Sequence, residues 1–284
     1  MKNLVLSLVF LLGITFANPL LAQRTVVATG TVKVMPAVEA AARNEGTGTS
    51  LSRVAQAIDG QLIDALNGSR KFEVIARSDL DSLLEEGGLS GQVVSAGEAD
   101  YLLVPVIDDF QDYVERATFS ALGTVAEKRK IRLGMVARIY DTETSKLVES
   151  TNFQLDNRHV EQLLQQTAKS GEYSDELLRQ IAQEMAGQIA NRVVDVIFPA
   201  RIIALSGPQV TLNRGDGTGI AVDQVWDVFA LGEELIDPDT GESLGRSEVK
   251  VGQVRIDRIT PRFSTATVLE DYGIDKDAVV RPAR

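Results

Sequence analysis

The sequence predicts an α/β (α+β) protein in which a mixed-sheet layer domain with covering helices precedes a small β-barrel. Strand and helix patterns alternate from residue 24 to residue 110, as they do in layered α/β domains. A long helical pattern then ends at Pro199, and beyond it short strands are separated by Gly, Asn and Asp turns without helical periodicity. We therefore predict domains at residues 23–199 and 200–284.

The first predicted elements are a strand, a helix and a second strand. The segment Arg24–Val34 is β-branched and alternates in polarity, which predicts a strand. Ser50 can cap a helix, which the Asn67-Gly68 pair closes, and the short apolar segment Phe72–Ala76 predicts the next strand. The apolar residues that recur at helical spacing are Leu51, Val54, Ala55, Ile58, Leu62 and Leu66.

A short capped helix and a central strand follow. Ser78 and Asp81 resemble a capping box, and Leu80, Leu83 and Leu84 would form the buried face of that helix. The segment Tyr101–Ile107 is too apolar for a strand with one wet face, which predicts a buried central strand. Pro105 has no N–H group, so this strand needs a bulge or a missing partner there.

The rest of the first domain is predicted as a hairpin and a long helix. Residues 131–140 and 146–155 pair around the polar turn Asp141–Ser145. Ser174 caps the helix that Pro199 ends, and its apolar stripe is most simply the face packed on the sheet, the alternative being a seam for a partner helix. That stripe consists of Leu177, Leu178, Ile181, Met185, Ile189, Val193, Val196 and Ile197.

The segment from Phe72 to Phe110 resembles the signature segment of the curli-secretion channel (CsgG-like) family of bacterial envelope proteins. In that pattern an apolar strand ends in Arg-Ser-x-Leu, and a short acidic helix, a Ser-Gly turn and Ala-Asp-Tyr follow. None of the matching residues forms a catalytic arrangement. The resemblance therefore implies a role in envelope assembly rather than in catalysis. The matching residues are Val74, Ile75, Arg77, Ser78, Leu80, Leu83, Leu84, Ser90, Gly91, Ala99, Asp100 and Tyr101.

The second domain is similar to the C-terminal domain of the flagellar H-ring assembly protein FlgT, and this resemblance implies an SH3-like barrel. The order of apolar residues, Asn, Gly and an Asp-Pro-x-Thr-Gly turn recurs widely in envelope proteins, so it indicates the fold more than the function. The matching residues are Val210, Leu212, Asn213, Gly215, Gly219, Val225, Val228, Asp237, Pro238, Thr240, Gly241, Gly245, Gly252 and Val254.

The N-terminus predicts export. Lys2, the apolar run Leu4–Phe16 and the small residues before Gln23 have the order of a cleaved signal peptide at residues 1–22, with an uncleaved anchor as the alternative. The sequence has no cysteine, which excludes disulfides and the lipidated cysteine that anchors curli channels. We therefore expect a periplasmic protein without a lipid anchor and without a direct membrane span.

The charge of the chain restricts its partners. The formal net charge is -11, so we expect no nucleic acid as a partner, because phosphate contacts need clustered Lys and Arg. The one basic cluster, Lys128–Arg132, alternates into a strand and is predicted as a solvated strand face, a polar binding edge being the alternative.

Candidate catalytic and metal-binding motifs are weak, and we predict no catalytic residue, cofactor or metal. His159 is the single histidine and is expected on the surface. The glycine-rich segment Arg214–Gly219 lacks the Lys-Ser/Thr of a phosphate loop and predicts a tight hairpin. Asp237–Glu242 lacks the distal ligands of a calcium loop and predicts a turn. The acidic trio of Asp108, Asp109 and Asp112 leaves a carboxylate pair for acid/base work as a remote alternative.

The segment Tyr113–Lys130 decides whether the chain could form a pore, as some members of the CsgG-like family do. Pore-forming members carry long hairpin insertions, and Tyr113–Lys130 is too short for two membrane strands of roughly 9–11 residues before Ile131. We therefore predict no pore and a flexible loop that orders on contact with a neighbouring subunit. The candidate interface residues are Ser90, Gly91, Gln92 and Trp226, although Trp226 also fits the core of the barrel.

These observations together predict a periplasmic, non-catalytic structural or accessory protein of an envelope machine. Its expected partners are components of the secretion, flagellar or cell-wall machinery, together with further copies of the chain as a homo-oligomer. The alternative is a periplasmic activator of a peptidoglycan synthase, which needs no active site either. An enzyme ranks third.

Overall fold

The computed structural model describes residues 24–76, 99–119, 124–156, 158–160, 162 and 175–283. Its first sheet has six strands, ordered β3-β1-β4-β5-β6, with β2 paired to β4. The predicted signal peptide and the capped helix of the signature segment lie outside the described residues. The strand bounds are β1 Thr25–Thr29, β2 Lys33–Val34, β3 Phe72–Ala76, β4 Tyr101–Phe119, β5 Thr124–Asp141 and β6 Leu147–Leu155.

The first sheet is mixed, as predicted. β1 runs parallel to β3 and to β4, whereas β4, β5 and β6 are antiparallel neighbours. On its other side β4 pairs with β1 up to Leu103 and with β2 from Val106, so Pro105 falls in the gap between these two ladders. This gap is the missing partner that a proline in a central strand requires.

In the described part of the chain, the helices α1 Pro36–Asn44, α2 Gly48–Gly68 and α3 Asp175–Ile197 pack against this sheet. The predicted apolar positions of α2 are buried, except the partly buried Ala55. The stripe of α3 is buried from Leu177 to Val193 and packs against α2 as well as β6. The stripe is therefore part of the core. Among the described residues, no helix combines the length and apolarity needed to cross a membrane.

The loop predicted at Tyr113–Lys130 is wrong, because β4 and β5 form one long hairpin. Their ladder continues from Asp109 opposite Gly134 to Phe119 opposite Thr124. Within Tyr113–Lys130 each strand contributes seven residues, 113–119 of β4 and 124–130 of β5, which is fewer than the roughly 9–11 of a membrane strand. The pairing was hidden because apolar residues do not alternate through the whole segment, and two of its rungs pair charged residues, Glu115 with Lys128 and Arg116 with Glu127.

The second sheet has six strands in the order β12-β9-β10-β11-β8-β7, and each strand runs antiparallel to its neighbours. Its two end strands approach each other through a bridge between Arg201 and Val279 and a hydrogen bond from Val280 N to Ala200 O. The strand order itself is open, and the SH3-like barrel stays a prediction. The bounds are β7 Ile202–Ser206, β8 Gln209–Leu212, β9 Val225–Ile236, β10 Ser243–Ile259, β11 Ser264–Asp271 and β12 Val279–Pro282.

Each sheet has a hydrophobic core of its own. The first core extends along the chain to Val194, with Phe198 packed against it. The second begins at Ala200 and is built around Leu212, Trp226 and Ile256. We refer to residues 24–199 and 200–283 as the first and the second unit.

Candidate docking surfaces

The first candidate surface is the part of the β4–β5 hairpin that extends past its sheet. We call residues 110–119 and 124–133 the first ribbon. β2 pairs with β4 only as far as Ile107, and β6 pairs with β5 only from Leu133. Within the described part of the chain, both outer edges of this ribbon therefore present backbone N–H and C=O groups that no further strand uses.

Ion pairs across the two strands hold the first ribbon together. Arg129 donates two hydrogen bonds to Asp112, at 2.7 and 2.5 Å, and only 7% of the Asp112 side chain is exposed. Lys130 lies 2.7 Å from Glu115. These are diagonal pairs, two residues out of register on the same face, because Asp112 faces Ile131 and Glu115 faces Lys128 in the ladder.

The acidic trio and the basic cluster of the sequence therefore partner each other. Arg132 Nε lies 2.5 Å from Asp109 Oδ2, and the contact with Asp109 raises the pKa of the Arg132 guanidinium. Asp108 lies exposed at the bulge that follows Ile107. Because Asp109 and Asp112 are each held by an arginine, the trio does not form a free carboxylate pair.

Two apolar side chains stand out from this charged ribbon. Tyr113 is 49% exposed and Val114 is 51% exposed, and as neighbours on one strand they point to opposite faces. Among the ribbon side chains that the structure describes, each face therefore carries an exposed apolar contact point beside the ion pairs.

The second candidate surface is the corresponding extension of the β9–β10 hairpin. We call residues 230–236 and 243–251 the second ribbon. β12 pairs with β9 only up to Phe229, and β11 pairs with β10 only from Gly252. Four of its large aliphatic side chains have high exposed fractions: Leu235 47%, Ile236 53%, Leu244 65% and Val249 62%. No feature of the sequence analysis marked this ribbon, although Leu235-Ile236 directly precedes the Asp-Pro turn.

The turn between the two strands of the second ribbon is the predicted Asp237–Glu242. Asp237 accepts hydrogen bonds from the backbone N–H groups of Asp239 and Thr240, at 2.8 and 3.2 Å. Its carboxylate thus closes a turn, as predicted. Among the described residues, no group of His, Cys, Asp or Glu is arranged to hold a metal ion.

The tight hairpin predicted at Arg214–Gly219 is wrong. This segment connects β8 to β9, which are not neighbours in the sheet, and it packs against the first unit instead. A side chain at Gly217, where φ is 75°, would meet Gly68 O at 2.6 Å. The glycines therefore permit a close approach between the units, and we call residues 213–219 the junction loop.

A buried arginine anchors the junction loop. Arg214 is 1% exposed and its Nη2 donates to Asp195 of α3 at 2.5 Å, while its Nε and Nη1 have no hydrogen-bond partner among the described residues. Lys71 of the first unit donates to Asn213 O at 2.6 Å. Burial, and secondarily the charge of Arg214, lower the pKa of Lys71.

A cleft of about 640 Å³ lies between the two units beside this junction. Arg192 of α3 and Arg281 of β12 stand at it with side chains 45% and 53% exposed. Arg192 donates to Glu149 at 2.7 Å, and Arg281 donates to both oxygens of Glu248. The remaining lining residues are Asp195, Val196, Pro199, Ala200, Trp226, Val279, Val280, Pro282 and Ala283.

The structure describes only one of the four interface residues that the sequence suggested. Ser90, Gly91 and Gln92 lie outside the described residues. Trp226 is 3% exposed, and its indole N–H donates to Gln224 Oε1 at 3.1 Å. It is a core side chain that borders the cleft, so it is not exposed on the surface. His159 lies on the surface, with Nδ1 3.0 Å from Asp156 Oδ1.

No protein-family model and no curated protein matches the chain. Among solved structures, the PelC dodecamer from Paraburkholderia phytofirmans is 11% identical, with 60% of this chain and 88% of that chain covered and a TM-score of 0.30. Lipoprotein GNA1162 from Neisseria meningitidis is 12% identical, with 59% and 99% covered and a TM-score of 0.26. TolB from Acinetobacter baumannii is 8% identical, with 84% and 56% covered and a TM-score of 0.30. Similarity at this level assigns neither a family nor a function.

Proposed function

We propose that this protein is a non-catalytic structural or accessory component of a bacterial envelope assembly, and that it docks other proteins through its two ribbons. The observation that carries the proposal is that both hairpins continue past the sheets that support them. An isolated two-stranded hairpin is only marginally stable in water, and a further strand or a packed surface stabilises it. A partner protein can supply either one.

The chemistry of the ribbons supports docking rather than catalysis. The carboxylates of Asp109 and Asp112 are engaged by arginines within the first ribbon. The exposed side chains beside them, Tyr113 and Val114, can only contribute apolar contacts and one phenol group. The predicted signal peptide would bring this surface to the periplasm, where secretion, flagellar or cell-wall complexes are the partners.

The experiment that tests this proposal is chemical cross-linking in intact cells, followed by affinity purification of the chain and mass spectrometry. We expect specific links to components of a secretion or flagellar machine, or a ladder of self-linked species. Links to a cell-wall synthase, with the protein itself monomeric, would instead support the activator of a peptidoglycan synthase. A monomer without any linked protein would contradict both roles.

A further inference from the structure

We infer that the tip of the second ribbon inserts into a socket on a different protein, and that this socket has apolar walls and a rim of Lys and Arg side chains. The tip is residues 233–244, which comprise the outer ends of β9 and β10 and the turn between them. This role rests on the proposed docking function and adds the chemistry of the partner that the second ribbon takes.

The tip lies well beyond the sheet that supports the second ribbon. β12 pairs with β9 only up to Phe229, and the extended strand from Phe229 to Ile236 is about 23 Å long. Two paired strands are only about 5 Å apart. The tip is therefore long and narrow, and it can enter a groove that would not admit a whole sheet.

The aliphatic side chains of the tip point to both faces of the ribbon. Ile236 faces Ser243 in the last rung before the turn. Leu235 and Leu244 are the next residues on the two strands, so they point to the face opposite Ile236. All three aliphatic side chains are about half exposed or more, and such clusters mark interaction sites. A flat surface would cover only one of these faces, whereas the walls of a socket cover both.

The charges of the tip are acidic and are not neutralised by its own chain. No Lys or Arg occurs between Gly232 and Gly245. None of the carboxylates in this stretch forms an ion pair with the residues that the structure describes. A rim of Lys and Arg can therefore form charge-assisted hydrogen bonds with them. These acidic residues are Glu233, Glu234, Asp237, Asp239 and Glu242.

The same charges disfavour other occupants. Anionic lipid headgroups and nucleic-acid phosphates repel an acidic tip. A second copy of this chain is disfavoured as well, because the chain carries 40 acidic against 29 basic residues. At the cleft between its units, Arg192 and Arg281 are already paired with Glu149 and Glu248. A basic protein other than this chain is therefore the complementary partner.

Photo-cross-linking in intact cells tests the inference. The full chain carries a photoreactive amino acid at Leu235 or at Ile236, which point to opposite faces, and mass spectrometry identifies the linked protein and the linked residues. We expect both positions to link to the same protein, at apolar residues that Lys or Arg flank. In the variant Glu233→Lys/Glu242→Lys the yield should fall at least about tenfold, because like charges then face each other.

The matched control is Glu45→Lys/Glu270→Lys, which makes the same change in net charge at two exposed residues outside the ribbon. Its cross-linking yield should equal that of the wild type. The thermal midpoints of both purified variants should stay within about 2 °C of the wild type, because all four positions are exposed. A lower yield in the tip variant then reports the lost contact and not unfolding.

Four results would overturn the inference: links from only one of the two positions, links to an acidic or uncharged surface, links to a second copy of this chain, or a yield that the charge reversal leaves unchanged. If Tyr113 of the first ribbon still links to an envelope protein in such a case, the docking function stands and only the socket for the tip fails. If neither ribbon links to any protein, the docking function fails as well.

Discussion

Arg214 is the residue with the most unusual environment in the described structure. Its charge is almost completely buried, and a single carboxylate, that of the half-exposed Asp195, compensates for it. Removing the carboxylate leaves a buried charge without compensation, which is strongly destabilising. Replacing the arginine instead removes the buried charge itself and leaves a carboxylate that is half exposed.

This asymmetry gives the first prediction. Asp195→Asn should lower the free energy of unfolding by about 3 kcal/mol, because Arg214 stays buried and loses its counter-charge. Arg214→Met should change it by less than about 1 kcal/mol, because Asp195 keeps its contact with water. Urea unfolding of both variants measures the difference. An arginine variant that is less stable than the aspartate variant would contradict this reasoning.

Glu149 makes the stability of the first unit depend on pH. Hydrogen bonds from Thr151 and from Arg192 lower the pKa of its carboxyl group. A carboxyl group whose pKa is lower in the folded than in the unfolded protein stabilises the fold at a pH above its unfolded pKa, which for Glu is about 4.3. This stabilisation is lost as the pH falls through the folded pKa. Glu149→Gln should therefore reduce the loss of stability between pH 7 and pH 3. Urea unfolding across this range tests it, and parallel profiles of variant and wild type would contradict it.

At the scale of elements, the junction loop offers a matched pair of glycines. Gly217 and Gly241 both have positive φ, 75° and 71°, so alanine strains the backbone at either position. Only at Gly217 would the new side chain also collide with a backbone oxygen, that of Gly68; at Gly241 the space is open.

The second unit should therefore lose its attachment to α2 in one variant only. We expect Gly241→Ala to cost about 1 kcal/mol and Gly217→Ala to cost at least about 1 kcal/mol more in free energy of unfolding. Limited proteolysis should also cut the Gly217→Ala variant faster between the units. Equal stability of the two variants would show that the close approach at the junction is unimportant.

The first ribbon leads to a prediction about assembly. Replacing residues 118–125 by a two-residue Asn-Gly turn shortens the ribbon beyond Ala117 opposite Ala126 and leaves the ion pair of Asp112 with Arg129 in place. The thermal midpoint should stay within about 2 °C of the wild type, because the core is untouched. Cross-links to partners in cells should decrease. Unchanged cross-linking would exclude the outer part of the ribbon from docking.

The elements also show how far the sequence leads. Apolar patterning was sufficient for α2, β3 and the β5–β6 hairpin. In α2 the buried positions recur along one face from Leu51 to Leu66. The same patterning missed α1, in which Ala42 is the only buried residue. It missed the first ribbon, whose strands are joined by charges such as Asp112 and Arg129. It predicted a hairpin where the junction loop lies, because the close approach of Gly217 to Gly68 joins distant parts of the chain and leaves no local pattern.

At the scale of the whole molecule, two small units with separate cores are joined by a short buried contact, and each extends one ribbon. The ion pair of Arg214 with Asp195 and the hydrogen bond from Lys71 to Asn213 tie the second unit to the first. The two units that carry the ribbons are therefore joined by direct side-chain contacts as well as by the chain.

The most direct test of the docking function is site-specific photo-cross-linking in intact cells. A photoreactive amino acid is placed at Tyr113 of the first ribbon, at Leu235 of the second, and at Leu205 of β7, which is similarly exposed at 42% but lies on neither ribbon. The account predicts strong, discrete cross-links from Tyr113 and Leu235 and few from Leu205. Equal labelling at all three positions, or cross-links from Leu205 alone, would contradict it.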